Sequence, residues 1–383
     1  MNKDFIPYSK PDIGDKEIEE VVLTLKSGWV TSGPKVKEFE NAFANFIGKG
    51  LEAIAVNSAT SGLHLALEAI GIKEGDEVIT TTHTFTATAE VIRYLGAHPI
   101  LVDIDPNSLC IDPTKIEEVI TTKTKAIIPV HFGGISADLD PIIDLAKRNG
   151  LKIIEDAAHA LPTTYKGKKI GSQNTDATVF SFYANKTMTT GEGGMVVTKN
   201  KNIAKRISVM RLHGINRDAF DRFSSSKPKW FYEVIAPGYK YNMTDISAAM
   251  GLIQLKKLNT MQKKREAIAS NYFKKLKNLP FKLPPKPLDI DMHAWHLFII
   301  QIKDIKEISR NKLIDKLFKN GIGCSVHYIP LHLHPYWKGE YNLNKESYKN
   351  SQRIYESSIS LPIYSKMSLS DSDKVINILN KII

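Results

Sequence analysis

The sequence predicts an α/β protein: a large domain on a mostly parallel, seven-stranded sheet, followed by a smaller C-terminal α+β domain. Three observations predict it. Short β-branched runs alternate with amphipathic segments through the first two-thirds of the chain, the pattern of βαβ units. Several of those runs are continuously apolar, as strands covered on both faces are. Past Asp245 the alternation stops and a mixed pattern replaces it.

The expected strands are 53–57, 77–81, 99–103, 125–130, 151–155, 177–182 and 194–198. Helical periodicity lies between the early ones, at 61–71, 85–95, 113–120 and 139–149, with Gly71 and Gly150 placed as helix C-caps. Beyond Asp245 come helices over 245–258 and 263–279, a Pro-rich stretch at 280–287, and a strand over 295–302. A helix at 310–320, a short strand at 324–328 and a terminal helix at 370–383 complete the reading. The expected division is a large domain, 1–255, carrying an N-terminal arm, and a small domain, 256–383.

At 383 residues the chain is too long for one small core. Apolar residues at 42% and charged residues at 24% fit a soluble globular protein. No apolar run approaches the roughly 20 residues that cross a bilayer. The first residues lack the apolar centre of a signal peptide. Cys110 and Cys324 form neither a disulfide framework nor a metal-ligand spacing, so a cytoplasmic protein without a metal site is expected. The net charge of +11 is spread along the chain rather than gathered in an arm. Its densest cluster, Lys256, Lys257, Lys263, Lys264 and Arg265, falls in helical periodicity and reads as a solvated face. The excess charge fits an anionic small substrate better than nucleic acid or a membrane.

In an open parallel sheet, ligands sit beyond the carboxyl ends of the strands. After 53–57 the segment Ser58-Ala59-Thr60-Ser61-Gly62 opens a helix. Free N–H groups and the helix dipole make that an anion site, although a plain hydroxyl cap has the same appearance. The glycine signatures of phosphate-binding and dinucleotide-binding loops are absent there. After 151–155 comes Asp156-Ala157-Ala158-His159-Ala160. A carboxylate at a buried strand end is costly without a positive partner. A protonated pyridine nitrogen is one such partner, a structural cation another. After 177–182, Lys186 leaves a buried strand in a loop that ends Gly191-Glu192-Gly193-Gly194. Desolvation there lowers an ammonium from its ordinary value near 10.4 and yields the neutral amine that forms imines. Ser181 adds a hydroxyl. Acid, lysine and anion site together point to pyridoxal 5'-phosphate (PLP) held on Lys186.

The segments Asn57–His64, Glu155–Ala160, Ser181–Lys186 with Gly191–Gly194, and Pro237–Asp245 resemble the DegT/StrS family of PLP-dependent nucleotide-sugar aminotransferases. The resemblance runs in order from about Ile6 to near the C-terminus. A nearer likeness, to the UDP-4-amino-4-deoxy-L-arabinose aminotransferase branch, rests on Asp156 to Ala160, Gly238 to Asn242 and His293 to Ile300.

The resemblance implies the aspartate-aminotransferase fold (fold type I), PLP and its amino form PMP, and a shared-site homodimer. It implies transfer of an amino group from L-glutamate, leaving 2-oxoglutarate, to a nucleotide-linked keto sugar, by the likeness a UDP-4-keto sugar, for lipopolysaccharide or another surface glycan. Lys186 is implied as the Schiff-base lysine and proton carrier, Asp156 as partner of the pyridine nitrogen, and His159 as neighbour of the ring and its phenolic oxygen. Thr60 and Ser61 are implied to hold the phosphate through backbone N–H groups, with Ser181 assisting and Asn242 reaching in from the neighbouring subunit. Phe85 falls where the arabinose-type enzymes stack a larger aromatic ring on PLP. Trp29, Thr31, Tyr183, His327 and Tyr328 are implied around the substrate, and Arg211 and Lys240 are candidates for the donor's carboxylates. Sugar dehydratases of the same fold carry histidine where this chain has Lys186, so amino transfer is expected. A dehydratase and a non-catalytic sugar-sensing regulator are the alternatives.

Overall fold

The computed structural model describes residues 5–216, 230–304, 307 and 309–383. Two helices, α1 (Asp15–Lys26) and α2 (Pro34–Ile47), precede the first strand. Then β1 (Glu52–Val56), α3 (Ala59–Ala69), β2 (Glu77–Thr81), α4 (Ala87–Tyr94), β3 (His98–Val102), α5 (Pro113–Glu117), β4 (Thr124–Ile127), α6 (Leu139–Asn149) and β5 (Lys152–Asp156) alternate as expected. A small hairpin, β6 (Thr164–Tyr165) and β7 (Lys168–Lys169), leads to β8 (Ala177–Ser181), β9 (Gly194–Thr198) and α7 (Lys201–Met210). Gly150 closes α6 in the left-handed conformation, where a Cβ would be strained.

The seven strands form one sheet in the order β1-β9-β8-β5-β4-β2-β3. β9 runs antiparallel to both neighbours, and the other pairings are parallel. Helices cover both faces. Ile54, Val56, Val78, Val179 and Val196 pack with α3 and α7 on one side. Ala55, Phe180, Met195 and Val197 pack under α2 on the other, and Ile79, Ile127 and Ile153 under α6. This two-sided burial is why the strands read as unbroken apolar runs. It also gathers the carboxyl ends of β1, β2, β5 and β8 at one edge, beside the start of β9.

Downstream, α8 (Asp245–Leu276) is one helix of 32 residues, where two were expected. It contributes Ala248, Leu252, Leu255, Leu258 and Met261 to the large-sheet core. Beyond, Ile268, Ala269, Tyr272 and Leu276 belong to a second core. The expected division at 255/256 therefore falls inside a continuous helix. The second core includes β10 (Phe281–Lys282), β11 (Phe298–Ile302), α9 (Arg310–Lys319), β12 (Ser358–Leu361) and α12 (Leu369–Ile382), while Trp337 of α10 (Pro335–Glu340) packs with Ala89 of α4 and Leu101 of β3 and Ile354 of α11 (Lys349–Ser357) with Leu297 and Ile299. β10, β11 and β12 form an antiparallel sheet. The segment 324–328, expected as a strand, is not one: it makes a single bridge, Ser325 to Ser360, and then turns away. Ile6 of the N-terminal arm bridges to Ile322 and packs in the second core.

Candidate active site

A pocket of about 500 Å³ opens at the carboxyl edge of the sheet. Its walls include Ser58, Thr60, Phe85, Thr88, Asp156, His159, Ser181, Tyr183, Asn185, Lys186, His327 and Tyr328. These residues come from the ends of β1, β2, β5 and β8 and from the 324–328 segment, which the fold brings together.

Asp156 ends β5 and is buried. Its Oδ2 accepts a 2.7 Å hydrogen bond from Thr88 Oγ1, and its Oδ1 accepts one of 3.1 Å from the Ala158 N–H. Thr84 Oγ1 lies 2.8 Å from Thr88 Oγ1, so with Thr88 donating to the acid, Thr84 donates to Thr88. The preceding Glu155 faces the opposite side of β5. It accepts from Thr175 Oγ1 at 2.5 Å, Thr178 Oγ1 at 2.6 Å and His131 Nε2 at 2.9 Å. Burial raises the Glu155 carboxyl, but those hydrogen bonds outweigh it and hold the group below its ordinary value. The end of β5 is thus pinned on both faces.

Lys186 faces the same pocket from the loop after β8. Burial lowers its ammonium from the usual 10.5 to about 8, while the negative charge of Asp156 pulls the other way. His159 is buried and held well below its ordinary value, first by burial and then by the charge of Lys186. Its Nδ1 accepts from the Gly133 N–H at 3.2 Å, and its Nε2 lies 2.9 Å from the Tyr328 hydroxyl. Phe85, 57% exposed, stands at the mouth with its ring centroid 5.8 Å from that of Tyr328. It precedes α4 rather than packing in its core.

At the start of α3, Ser58 is the N-cap and accepts from Ser61 N at 3.1 Å. The Ser61 hydroxyl donates to Asn57 Oδ1 at 2.7 Å. Ser61 is therefore consumed by its own capping box, which corrects the expectation that its N–H is free for a phosphate. The first-turn N–H groups of Ala59 and Thr60 meet no acceptor among the described residues and are the available donors. Gly194 fits tightly against this turn. A Cβ there would lie 2.7 Å from Ala59 N and from the backbone of Ser58.

Trp29, Thr31 and Asn242 do not line this pocket. Trp29 Nε1 donates to Ser32 O at 3.0 Å, and Asn242 Nδ2 donates to Ser32 Oγ at 2.7 Å. Asp245 N donates to Thr31 O at 3.0 Å, and its carboxylate accepts from the N–H groups of Gly33, Lys35 and Val36. Loop 29–33 and segment 242–245 are thus one tethered unit outside the pocket. Arg211 Nη1 bonds Glu40 Oε1 and Ala55 O, and Lys240 bonds Asn242 Oδ1, so neither faces the pocket.

Sequence reasoning missed Thr84, Thr88 and the Gly133 amide. The signal for the threonines was present. The stretch 80–88 holds six threonines, and 84 and 88 are spaced to share a helix face.

The family model for the DegT/DnrJ/EryC1/StrS aminotransferases matches residues 11–380. The chain belongs to that family. It is 50% identical to the uncharacterized protein MJ1066 of Methanocaldococcus jannaschii over all of this chain and 99% of the relative. It is 48% identical to the spore coat polysaccharide biosynthesis protein SpsC of Bacillus subtilis, over 99% of this chain and 97% of the relative. Among solved structures, Spr1654 of Streptococcus pneumoniae, described as a sugar aminotransferase and solved in its PMP-form, superposes with a TM-score of 0.91 at 34% identity, over 98% of each chain. The fold is therefore fold type I, and this DegT-family chain is a PLP-dependent sugar aminotransferase. The pocket fits the cofactor. It offers an amine of lowered basicity, a pinned carboxylate, and a helix start with two free N–H groups beside a glycine that leaves no room for a side chain. Among the described residues no helix is long and apolar enough to cross a membrane, and no cluster of metal-binding side chains occurs.

Proposed function

We propose that this aminotransferase moves an amino group from L-glutamate to a nucleotide-linked keto sugar, by the arabinose-type likeness a UDP-4-keto sugar, in the cytoplasm and on the way to a surface polysaccharide. One observation carries the reading most. The pocket holding Lys186 and Asp156 shares Thr84, Phe85 and Tyr328 with an adjoining outer cavity of about 920 Å³. Glutamate needs no such space, whereas a sugar bearing a nucleotide does. The printed role of SpsC in spore coat polysaccharide biosynthesis supports the destination.

When bound, PLP carries the amino group and takes up the electron pair left at the reacting carbon. The chain's own groups do the rest. Lys186, neutral for a useful fraction of molecules near pH 8, takes a proton from the donor's α-carbon and returns one at the sugar's reacting carbon. Asp156, aligned by Thr88 and the Ala158 amide, keeps the pyridine nitrogen protonated. The Ala59 and Thr60 amides, with Ser181, receive the phosphate. Tyr183, His327 and Tyr328 face the substrate, and Phe85 supplies a stacking surface. Trp29, Thr31 and Asn242, outside their own pocket, serve the neighbouring subunit of a homodimer.

The test is a panel of UDP-, dTDP- and GDP-linked 3-keto and 4-keto sugars with glutamate as donor. Turnover of a UDP-linked 4-keto sugar and formation of 2-oxoglutarate are expected. Amination of free sugars alone would defeat the nucleotide assignment, and loss of water without amino transfer would favour the dehydratase reading.

A further inference from the structure

An amino donor brings its α-carboxylate into the inner pocket, because that group and the reacting amine share one carbon. The pocket has little to meet it with. Among the described residues that line it, Lys186 is the one lysine or arginine, and the cofactor aldehyde takes up that amine. His159 and His327 are held below their ordinary value, first by burial, and Arg211 and Lys240 bond elsewhere. Most polar side chains of the wall are engaged as well. Thr84 and Thr88 serve Asp156, His159 contacts the Tyr328 hydroxyl, and His327 bonds Ser360 Oγ. Asn185 is different. Its Oδ1 is buried without a hydrogen-bond partner, and among the described residues its Nδ2 has none either. An amide held unpaired at a pocket wall costs stability unless a ligand completes it. Lys186 N donates to Tyr183 O at 3.0 Å and closes the turn 183–186, so the amide stands one residue from the reacting amine on the same wall. With Oδ1 buried, Nδ2 is the end open to the pocket, and it offers two N–H donors without a charge.

We propose that Asn185 is a donor-binding residue: its Nδ2 group donates to the α-carboxylate of the amino donor, in place of the arginine that this pocket lacks. The proposal rests on the aminotransferase reading and assigns the carboxylate that Arg211 and Lys240 do not face. A neutral donor suits a pocket that two substrates occupy in turn. The reacting carbon of a keto sugar carries no carboxylate, so an arginine placed there would be left as a buried, unpaired charge in the second half of the reaction. An amide left unpaired in that half costs far less.

The test uses the holoenzyme and Asn185→Leu, which nearly keeps the volume and removes the amide. The two half-reactions are followed separately by the cofactor's absorbance in single turnovers. The glutamate concentration giving half the limiting rate should rise roughly tenfold or more, with the limiting rate within about threefold of wild type, because binding rather than chemistry is lost. The Kd for 2-methylglutamate, which has no α-hydrogen to give up, should rise by the same factor without any turnover. The keto-sugar half-reaction should stay within about threefold. Asn185→Asp keeps the shape but sets a like charge against the carboxylate, and should bind glutamate more weakly still. Equal losses in both half-reactions, a loss confined to the keto sugar, unchanged glutamate binding in Asn185→Leu, or wild-type glutamate binding in Asn185→Asp would each overturn the proposal. If wild type takes another α-amino acid, or only free keto sugars, the comparison is run with those. The glutamate or nucleotide assignment then falls, while the role of Asn185 toward the α-carboxylate is still read.

Discussion

At the scale of single residues, the chemistry turns on how burial and the charge of Asp156 act on Lys186 across one pocket. Lys186→Ala should lose activity by several orders of magnitude, and borohydride reduction should no longer fix the cofactor to the chain. The pH dependence follows from the lowered lysine. Below about 8 the ammonium is charged and cannot attack the cofactor aldehyde. The rate of PLP uptake by the cofactor-free protein should rise with pH through about 8 and then level, rather than climb through the ordinary lysine range. Asp156 opposes the lowering, because its negative charge stabilises the ammonium. Asp156→Asn should therefore move that midpoint to lower pH even as it abolishes turnover. A midpoint that stays where it is would show that the charge of Asp156 does not govern Lys186. Thr88→Val removes the hydroxyl on Asp156 Oδ2 at little cost in volume. It should lower kcat roughly tenfold, as loss of one charge-assisted hydrogen bond does, with KM for either substrate little changed. The sequence displays Lys186 and Asp156 because each follows a strand. It shows the threonine cluster at 80–88 as well, but not that Thr88 finds its partner 68 positions away.

At the scale of elements, legibility follows burial on two faces. The seven sheet strands are readable because helices on both sides demand continuous apolar runs. The segment 324–328 carries similar residues, but it pairs only through Ser325 and is drawn off the sheet as His327 bonds Ser360 Oγ and Tyr328 reaches His159. α8 reads as two helices because polar residues interrupt its apolar face. In the fold those residues are buried and take tertiary partners, although Gln262 Oε1 and Arg265 Nε find none among the described residues. Gln262 Nε2 donates to His293 O at 2.7 Å, and Arg265 Nη1 to Trp295 O and Ile363 O. Tertiary partners, which no periodicity contains, keep the helix continuous. α1, α2 and α7 are likewise absent from the sequence reading; α1 shows why, since it exposes Ile18, Val22 and Leu25 and so blurs its own polar face. The phosphate cradle is an element-level device as well. β9 can start against the first turn of α3 only because residue 194 has no side chain. In Gly194→Ala, backbone rather than a flexible side-chain end must yield. PLP affinity should fall about tenfold or more as the two amides leave their alignment, while the circular dichroism spectrum is kept. Unchanged PLP affinity would place the phosphate elsewhere.

At the scale of the whole molecule, the described chain has a pocket and, outside it, loop 29–33 and segment 242–245, which the homodimer proposal assigns to a second copy. Loop 29–33 is anchored by the Asp245 carboxylate, and Asn242 is held by Ser32. The same carboxylate also satisfies the N–H groups at the start of α2. The exposed apolar stripe Ile18, Val22 and Leu25 on α1 leads directly into that loop. If Asn242 serves the cofactor of a neighbouring subunit, two inactive variants should repair each other. Lys186→Ala has an intact Asn242 to lend, and Asn242→Ala has an intact Lys186 to receive it. After dissociation and random re-pairing, half the dimers are mixed and each has one complete site, so activity should return to about a quarter of wild type. If Asn242 acted within its own subunit, every site in the mixed dimer would lack one of the two groups and the mixture would stay inactive. The same experiment separates assembly from chemistry. Val22→Glu, placed on the stripe and remote from the pocket, should weaken the dimer on a sizing column and lower activity in proportion to the monomer formed. Full activity in a purely monomeric sample would show that the site is complete in one chain.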